Sequence, residues 1–127
     1  MKENKKTVLL VEDDNFISEI YNTKLELEGF KVEVSMDGEE AVKKFKKINP
    51  DVVLLDVYLP KKDGWEVLEE IKQQEYFDKS KVLMLTNLGE KEQVEKARSF
   101  GVEDYFVKAS YTPDEVVEKV KDILSEE

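Results

Sequence analysis

The sequence predicts an α/β protein in which a parallel sheet is covered by helices on both faces, and three observations carry that expectation. Short runs of Val and Leu without polar alternation, Thr7 to Val11, Val52 to Leu55 and Val82 to Leu85, suit strands buried on both faces. Between them lie stretches whose apolar residues recur at three and four positions, each a one-sided stripe fit to cover a sheet. The two kinds of segment alternate five times with short connections, no low-complexity tract and no solenoid-type repeat, the pattern of βα units winding a parallel sheet.

Each element can be justified in order. After the first strand, Thr7 to Val11, Ile17, Ile20, Tyr21 and Leu25 mark a helix that Gly29 closes. Lys31-Val32-Glu33-Val34-Ser35 alternates and suits an edge strand with one wet face. Asp37-Gly38 opens a second helix with the stripe Ala41, Val42, Phe45 and Ile48, and Asn49-Pro50 ends it. The third strand, Val52 to Leu55, leads through the turn Lys61-Lys62-Asp63-Gly64 into a helix marked by Val67, Leu68 and Ile71. Val82 to Leu85 is followed by a helix on Val94 and Ala97, and Asp104-Tyr105-Phe106-Val107 is a short aromatic strand. Thr112 caps the last helix, Pro113 takes its first position, and Val116, Val117, Val120, Ile123 and Leu124 form its stripe. Right-handed crossovers and an edge position for the second strand lead to a doubly wound (βα)5 sandwich with the flavodoxin-like strand order 2-1-3-4-5.

A chain of 127 residues buries about two thirds of its unfolded surface around one core, so a single domain over residues 1–127, with a core of about 7–124, is expected. The absence of cysteine and histidine excludes disulfides, thiolate nucleophiles, Cys- or His-ligated metals and Ser-His or Cys-His couples. Chemistry is left to carboxylates, hydroxyls, lysines or a hard cation. Thirty acidic against twenty basic residues give a formal charge of −10, which argues against sequence-independent binding of nucleic acid. No signal peptide is evident after Met1 to Lys6, and no run approaches the roughly 20 apolar residues of a membrane span, so no membrane association and a cytoplasmic location are expected.

In this architecture ligands bind beyond the carboxyl ends of the strands, where the winding reverses between the first and third. Glu12, Asp13 and Asp14 stand after the first strand, Asp56 after the third, Thr86 at the end of the fourth and Lys108 after the fifth. Converging carboxylates repel one another at low effective dielectric, and the arrangement makes sense when a cation sits among them. Oxygen-only ligands in an open site suit Mg²⁺. Taken singly, each residue has a plainer use. Asp13 or Asp14 serves equally well as a helix cap, Thr86 as an ordinary strand end, and Lys108 as a solvated lysine. Asp56 closes a central apolar strand, where an ionised side chain is costly unless paired, metal-bound or exposed at the tip.

At these residues the sequence resembles the receiver domain of two-component response regulators, over roughly Thr7 to Leu124. The match lies in Val-Leu-Leu-Val-Glu-Asp-Asp at 8 to 14, Asp56-Val57-Tyr58-Leu59-Pro60 running to Asp63-Gly64, Thr86, and Tyr105-Phe106-Val107-Lys108. The resemblance implies that Asp56 accepts a phosphoryl group from a phosphohistidine on a separate histidine kinase or histidine phosphotransfer protein. It further implies Mg²⁺ on Asp13, Asp56 and the Tyr58 backbone carbonyl, with Glu12 acting indirectly or through Lys108. Thr86 and Lys108 would each take a phosphoryl oxygen, and Thr86 and Tyr105 would switch the surface of the fourth helix, fifth strand and fifth helix toward a downstream protein target. A homodimer through that same surface is compatible with the resemblance. Such a chain catalyses its own phosphorylation and slow dephosphorylation without being a conventional enzyme.

The sequence departs from the family at a few positions. Ala109 replaces the proline usual after Lys108; a cis bond before a non-proline residue costs about 2.5–4 kcal/mol, so a trans Lys108–Ala109 bond with a re-routed loop is expected. Asn87 adds bulk beside Thr86. Tyr58 and Leu88 offer no carboxylate to align a water, which favours slow loss of the phosphoryl group. A flavin module is disfavoured by the acidic loop Glu12-Asp13-Asp14-Asn15, a haloacid-type phosphatase by Tyr58 where a second acid belongs, and a nucleotide site by the lack of a Gly-rich loop. The remaining rival is a receiver-like interaction module that is never phosphorylated.

Overall fold

Residues 5–125 are described by the structure, a computed structural model; Met1 to Asn4 and Glu126-Glu127, and with them the two ends of the expected domain, lie outside the described residues. Strands and helices alternate as β1 (Thr7–Val11), α1 (Asn15–Leu27), β2 (Lys31–Ser35), α2 (Gly38–Ile48), β3 (Val52–Leu55), α3 (Gly64–Ile71), β4 (Lys81–Thr86), α4 (Lys91–Ser99), β5 (Asp104–Val107) and α5 (Pro113–Ser125). The strands form one parallel sheet in the order β2-β1-β3-β4-β5, as the segment pattern predicts.

Why the central runs carry no polar alternation is visible in the two cores. Val8, Leu10, Val52, Leu54, Leu83, Leu85 and Phe106 pack on one face with Tyr21 and Leu25 of α1 and Val116, Val117, Val120 and Leu124 of α5. Leu9, Val11, Val53, Leu55, Val82 and Met84 pack on the other with Ala41, Val42 and Phe45 of α2, Val67, Leu68 and Ile71 of α3, and Ala97 of α4. All four residues of β3 are fully buried, so an apolar side chain is needed at every position there.

Helix ends follow local chemistry. Asp14, Asp37 and Asp63 cap α1, α2 and α3 by accepting hydrogen bonds from Ile17, Glu40 and Glu66 backbone N–H groups, and Asp63 with Glu66 completes a capping box. Thr112 and Glu115 form the same reciprocal pair at the start of α5. Asn49, at φ 47°, ends α2 in the left-handed conformation that asparagine tolerates. A 3-10 helix at Glu75–Lys79 goes unannounced by the sequence and sets Tyr76 and Phe77 against the α2/α3 side of the core. Every described peptide bond is trans, Lys108–Ala109 included, and Lys108–Ser110 form a 3-10 turn. No described helix is long and apolar enough to cross a membrane.

Candidate functional site

Sheet register builds the site. Val11 of β1 pairs with Leu55 of β3, and the ladder continues one step further through Asp56 N–H to Val11 O (3.3 Å) and Glu12 N–H to Ser35 O (3.0 Å). Glu12 and Asp56 therefore leave adjacent strands side by side. On the other flank Thr86 pairs with Val107, so Lys108 emerges next to the end of β4.

Lys108 closes the group. Its Nζ donates to Glu12 Oε1 at 2.6 Å and to Asp56 Oδ2 at 2.8 Å. Glu12 is 2% exposed and Asp56 6%, so these charges are largely withdrawn from water. Burial, the largest influence, pushes the Glu12 carboxyl above its ordinary value even though Lys108 and the Asp14 N–H favour its ionised form. Burial also pulls on Lys108, toward a lower pKa, but the hydrogen bonds and charges of Asp56 and Glu12 together outweigh it and the net shift is upward. Tyr21, which packs beside this pair, has its phenol pushed up to about 12, chiefly by burial.

The two neighbouring aspartates after β1 have different environments. Asp14 turns back to cap α1 through Ile17 N–H at 3.0 Å. Asp13 is exposed, and one of its carboxylate oxygens lies within 4.8 Å of oxygens from both Glu12 and Asp56. Three carboxylates face one ammonium, a donor set of hard oxygens with excess negative charge, and that set fits Mg²⁺.

The loop after Asp56 is held by close backbone packing. Tyr58 N–H reaches Asp56 Oδ1 at 3.4 Å, while the Tyr58 ring is 67% exposed. Gly64 N–H donates to Val57 O at 2.8 Å, and a Cβ at Gly64 would lie 2.4 Å from Asp56 O. Only glycine permits that approach. Thr86 is fully buried and its Oγ1 accepts from Leu88 N–H at 3.5 Å. Tyr105 is half-buried, its hydroxyl donating to the Leu88 carbonyl, and burial, ahead of the charges of Glu90 and Asp56, raises its pKa.

Glu12, Asp13, Asp56 and Lys108 are thus brought together, with Thr86 on the adjoining strand end; Tyr105 is linked to that end through Leu88. The structural use of Gly64 and Gly38 goes beyond their reading as turn and helix-start residues. Its signal, a glycine at a close backbone approach, has meaning only once the partner backbone is known.

A doubly wound parallel sheet with a carboxylate cluster, a lysine and a buried threonine at its switch point defines a class of acidic-crevice α/β proteins. The family model described as "Response regulator receiver domain" matches residues 8–121, and the chain belongs to that family, the receiver domains of two-component response regulators. The alkaline phosphatase synthesis transcriptional regulatory protein PhoP of Bacillus subtilis is 40% identical over 121 residues, covering 95% of this chain and 49% of that protein. The chain spans about half the length of the curated relatives it matches. Among solved structures, the chemotaxis protein CheY4 of Vibrio cholerae is similar at a TM-score of 0.86 with 27% identity, covering 94% of this chain and 98% of that one. The BeF3-activated DrrB receiver domain has a TM-score of 0.84 and 30% identity, covering 96% and 99%.

Proposed function

We propose that this receiver domain is a phosphorylation-driven switch in which Asp56 accepts a phosphoryl group from a phosphohistidine on a separate cytoplasmic kinase or phosphotransfer protein. The observation that carries this reading is the clustering of the Glu12, Asp13 and Asp56 carboxylates at the sheet's switch point, with Lys108 bonded to Glu12 and Asp56. Residues 1–127 contain no histidine, so the phosphohistidine that donates lies outside this domain.

Asp13, Asp56 and the Tyr58 carbonyl would hold Mg²⁺, with Glu12 contributing indirectly. When bound, the ion supplies neutralisation of charge on the phosphoryl oxygens. The remaining work falls to the chain. Lys108 fixes one Asp56 oxygen, which orients the carboxylate for attack. A P–O bond to Asp56 forms as the P–N bond of the phosphohistidine breaks, and the imidazole leaves with that electron pair and takes up a proton. The Lys108 ammonium then pairs with a phosphoryl oxygen. The Thr86 hydroxyl, which only accepts from Leu88 N–H, retains its proton to donate to another.

Movement of Thr86 would be felt at Leu88, whose carbonyl holds the Tyr105 hydroxyl, and so at the α4-β5-α5 surface. A downstream protein, or a second copy of the chain, would read that surface. Phe16 and Tyr58, 72% and 67% exposed, lie two or three residues beyond Asp13 and Asp56 in sequence, and such uncovered aromatics support a protein donor over a free small molecule. The BeF3-activated state of the similar DrrB domain supports the reading.

Incubation with Mg²⁺ and acetyl phosphate should add the mass of one phosphoryl group, and Asp56→Asn should abolish the gain. No gain in the wild-type chain, from this donor or from a phosphorylated kinase, would leave the passive interaction module as the answer.

A further inference from the structure

The β3–α3 loop, residues 56–64, carries both Asp56 and the Tyr58 carbonyl, so its position sets the geometry available to a cation. At its base Gly64 packs on the Asp56 backbone. At its tip the loop meets a different element, the first turn of α2. A Cβ at Gly38 would stand 1.9 Å from Lys62 O and 2.7 Å from Lys62 C, both backbone atoms. Gly38 N–H donates to Pro60 O at 3.2 Å, and Asp37, the α2 cap, approaches Lys61 Nζ at 3.8 Å. Between these contacts Lys61 is held at φ 69°, in the left-handed region that a side chain disfavours. A conformation of that kind persists only where it is imposed, and here Lys62 N–H donates to Pro60 O at 2.8 Å across Lys61 while Gly38 packs on the Lys62 backbone.

We propose that the first turn of α2 is a strut that positions the metal-binding loop, with Gly38 as the residue that sets the loop's distance. Gly38 touches neither cation nor phosphoryl group; it acts through the Pro60–Lys62 backbone. Space at the other end of the loop is closed by Gly64 against Asp56 O, so a push at Lys62 is passed along the chain toward Tyr58 rather than absorbed. The inference rests on the proposed Mg²⁺ site and extends it to residues on a separate helix.

Alanine forms helix better than glycine, so Gly38→Ala leaves the intrinsic propensity of α2 improved and isolates the contact. In ¹⁵N-labelled protein without metal, the amide resonances of Tyr58 to Lys62 should move in Gly38→Ala. Titration with MgCl2 should then show affinity about tenfold weaker, the low end for outer partners of a metal site. Lys43→Ala, on the exposed side of α2, should match the wild type. Asp37 supplies a second arm that does not depend on Gly38→Ala folding. Asp37→Ala removes cap and charge, Asp37→Asn removes only the charge because asparagine caps as well as aspartate. Weaker Mg²⁺ binding in Asp37→Ala with recovery in Asp37→Asn supports the strut. Equal loss in both assigns the effect to charge and overturns it, as does wild-type affinity in folded Gly38→Ala or Asp37→Ala. A wild-type chain that binds no Mg²⁺ sinks the proposed site itself, a result distinct from failure of the strut alone.

Discussion

Lys108 is the residue on which the site's electrostatics turn. It is the described cation within hydrogen-bonding distance of both Glu12 and Asp56, and losing it leaves two buried carboxylates facing each other. Removing one partner of a buried ion pair costs about 3–5 kcal/mol, and Lys108→Met should fall near the lower end because the Lys108 side chain is itself 14% exposed. The pH dependence has a definite sign. Lys108 titrates higher in the folded chain than its ordinary value of 10.5, so its stabilisation is fully present below that pH and is lost as pH rises through the raised folded value. Urea unfolding at neutral pH and above pH 10.5 should therefore show the gap between wild type and Lys108→Met narrowing in alkali. A constant gap would mean that the pairs contribute nothing to stability. Asp13 and Asp14 teach a related lesson. They are adjacent and chemically identical, and the one whose carboxylate meets the Ile17 N–H becomes the cap while the other is left beside Glu12 and Asp56.

At the scale of elements, the helices differ in how firmly they are fastened. α5 buries Val116, Val117, Val120 and Leu124 and begins with the Thr112–Glu115 capping pair. α4 buries only Ala97 completely, and its N-cap, Glu90, makes no side-chain hydrogen bond. What else holds α4 is peripheral: Phe100, just past its end, stacks on Trp65 of α3 at 6.0 Å, and Lys96 sits 4.8 Å over the Trp65 ring. An element with few buried contacts opens at lower free energy. Native-state hydrogen exchange should show the α4 amides exchanging at least tenfold faster than those of α5; equal protection would refute this ranking. The stripes of α1, α2, α3 and α5 and the caps of α2 and α5 are legible in the sequence because each is a local pattern of a few residues. The 3-10 helix at Glu75–Lys79 is not, since its Tyr76 and Phe77 have no period and are placed by the core they pack on.

At the scale of the whole molecule, the fold carries a cluster that opposes it. Three carboxylates at one strand edge, in a chain of formal charge −10, cost stability that a bound cation would return. Binding to the folded state alone stabilises by about 2.7 kcal/mol at a hundredfold excess over Kd, which for a domain of this size raises Tm by roughly 10 °C. Thermal scans with and without saturating Mg²⁺ should show that rise in the wild type and its loss in Asp13→Asn. An equal rise in both would place the cation elsewhere.

The sequence by itself determined the alternation of elements, the two-sided burial of β1, β3 and β4, and the identity of the strand-end residues Asp56, Thr86 and Lys108. Those properties are local: hydrophobic period and cap chemistry act over a few residues and survive without knowledge of the rest of the chain. Only the tertiary structure decided which of Asp13 and Asp14 is the cap, that Glu12 and Asp56 share one lysine, and that Gly38 meets the backbone of Lys62. Each of these depends on distances between segments far apart in sequence, set by sheet register and helix docking, and no local pattern encodes a distance of that kind.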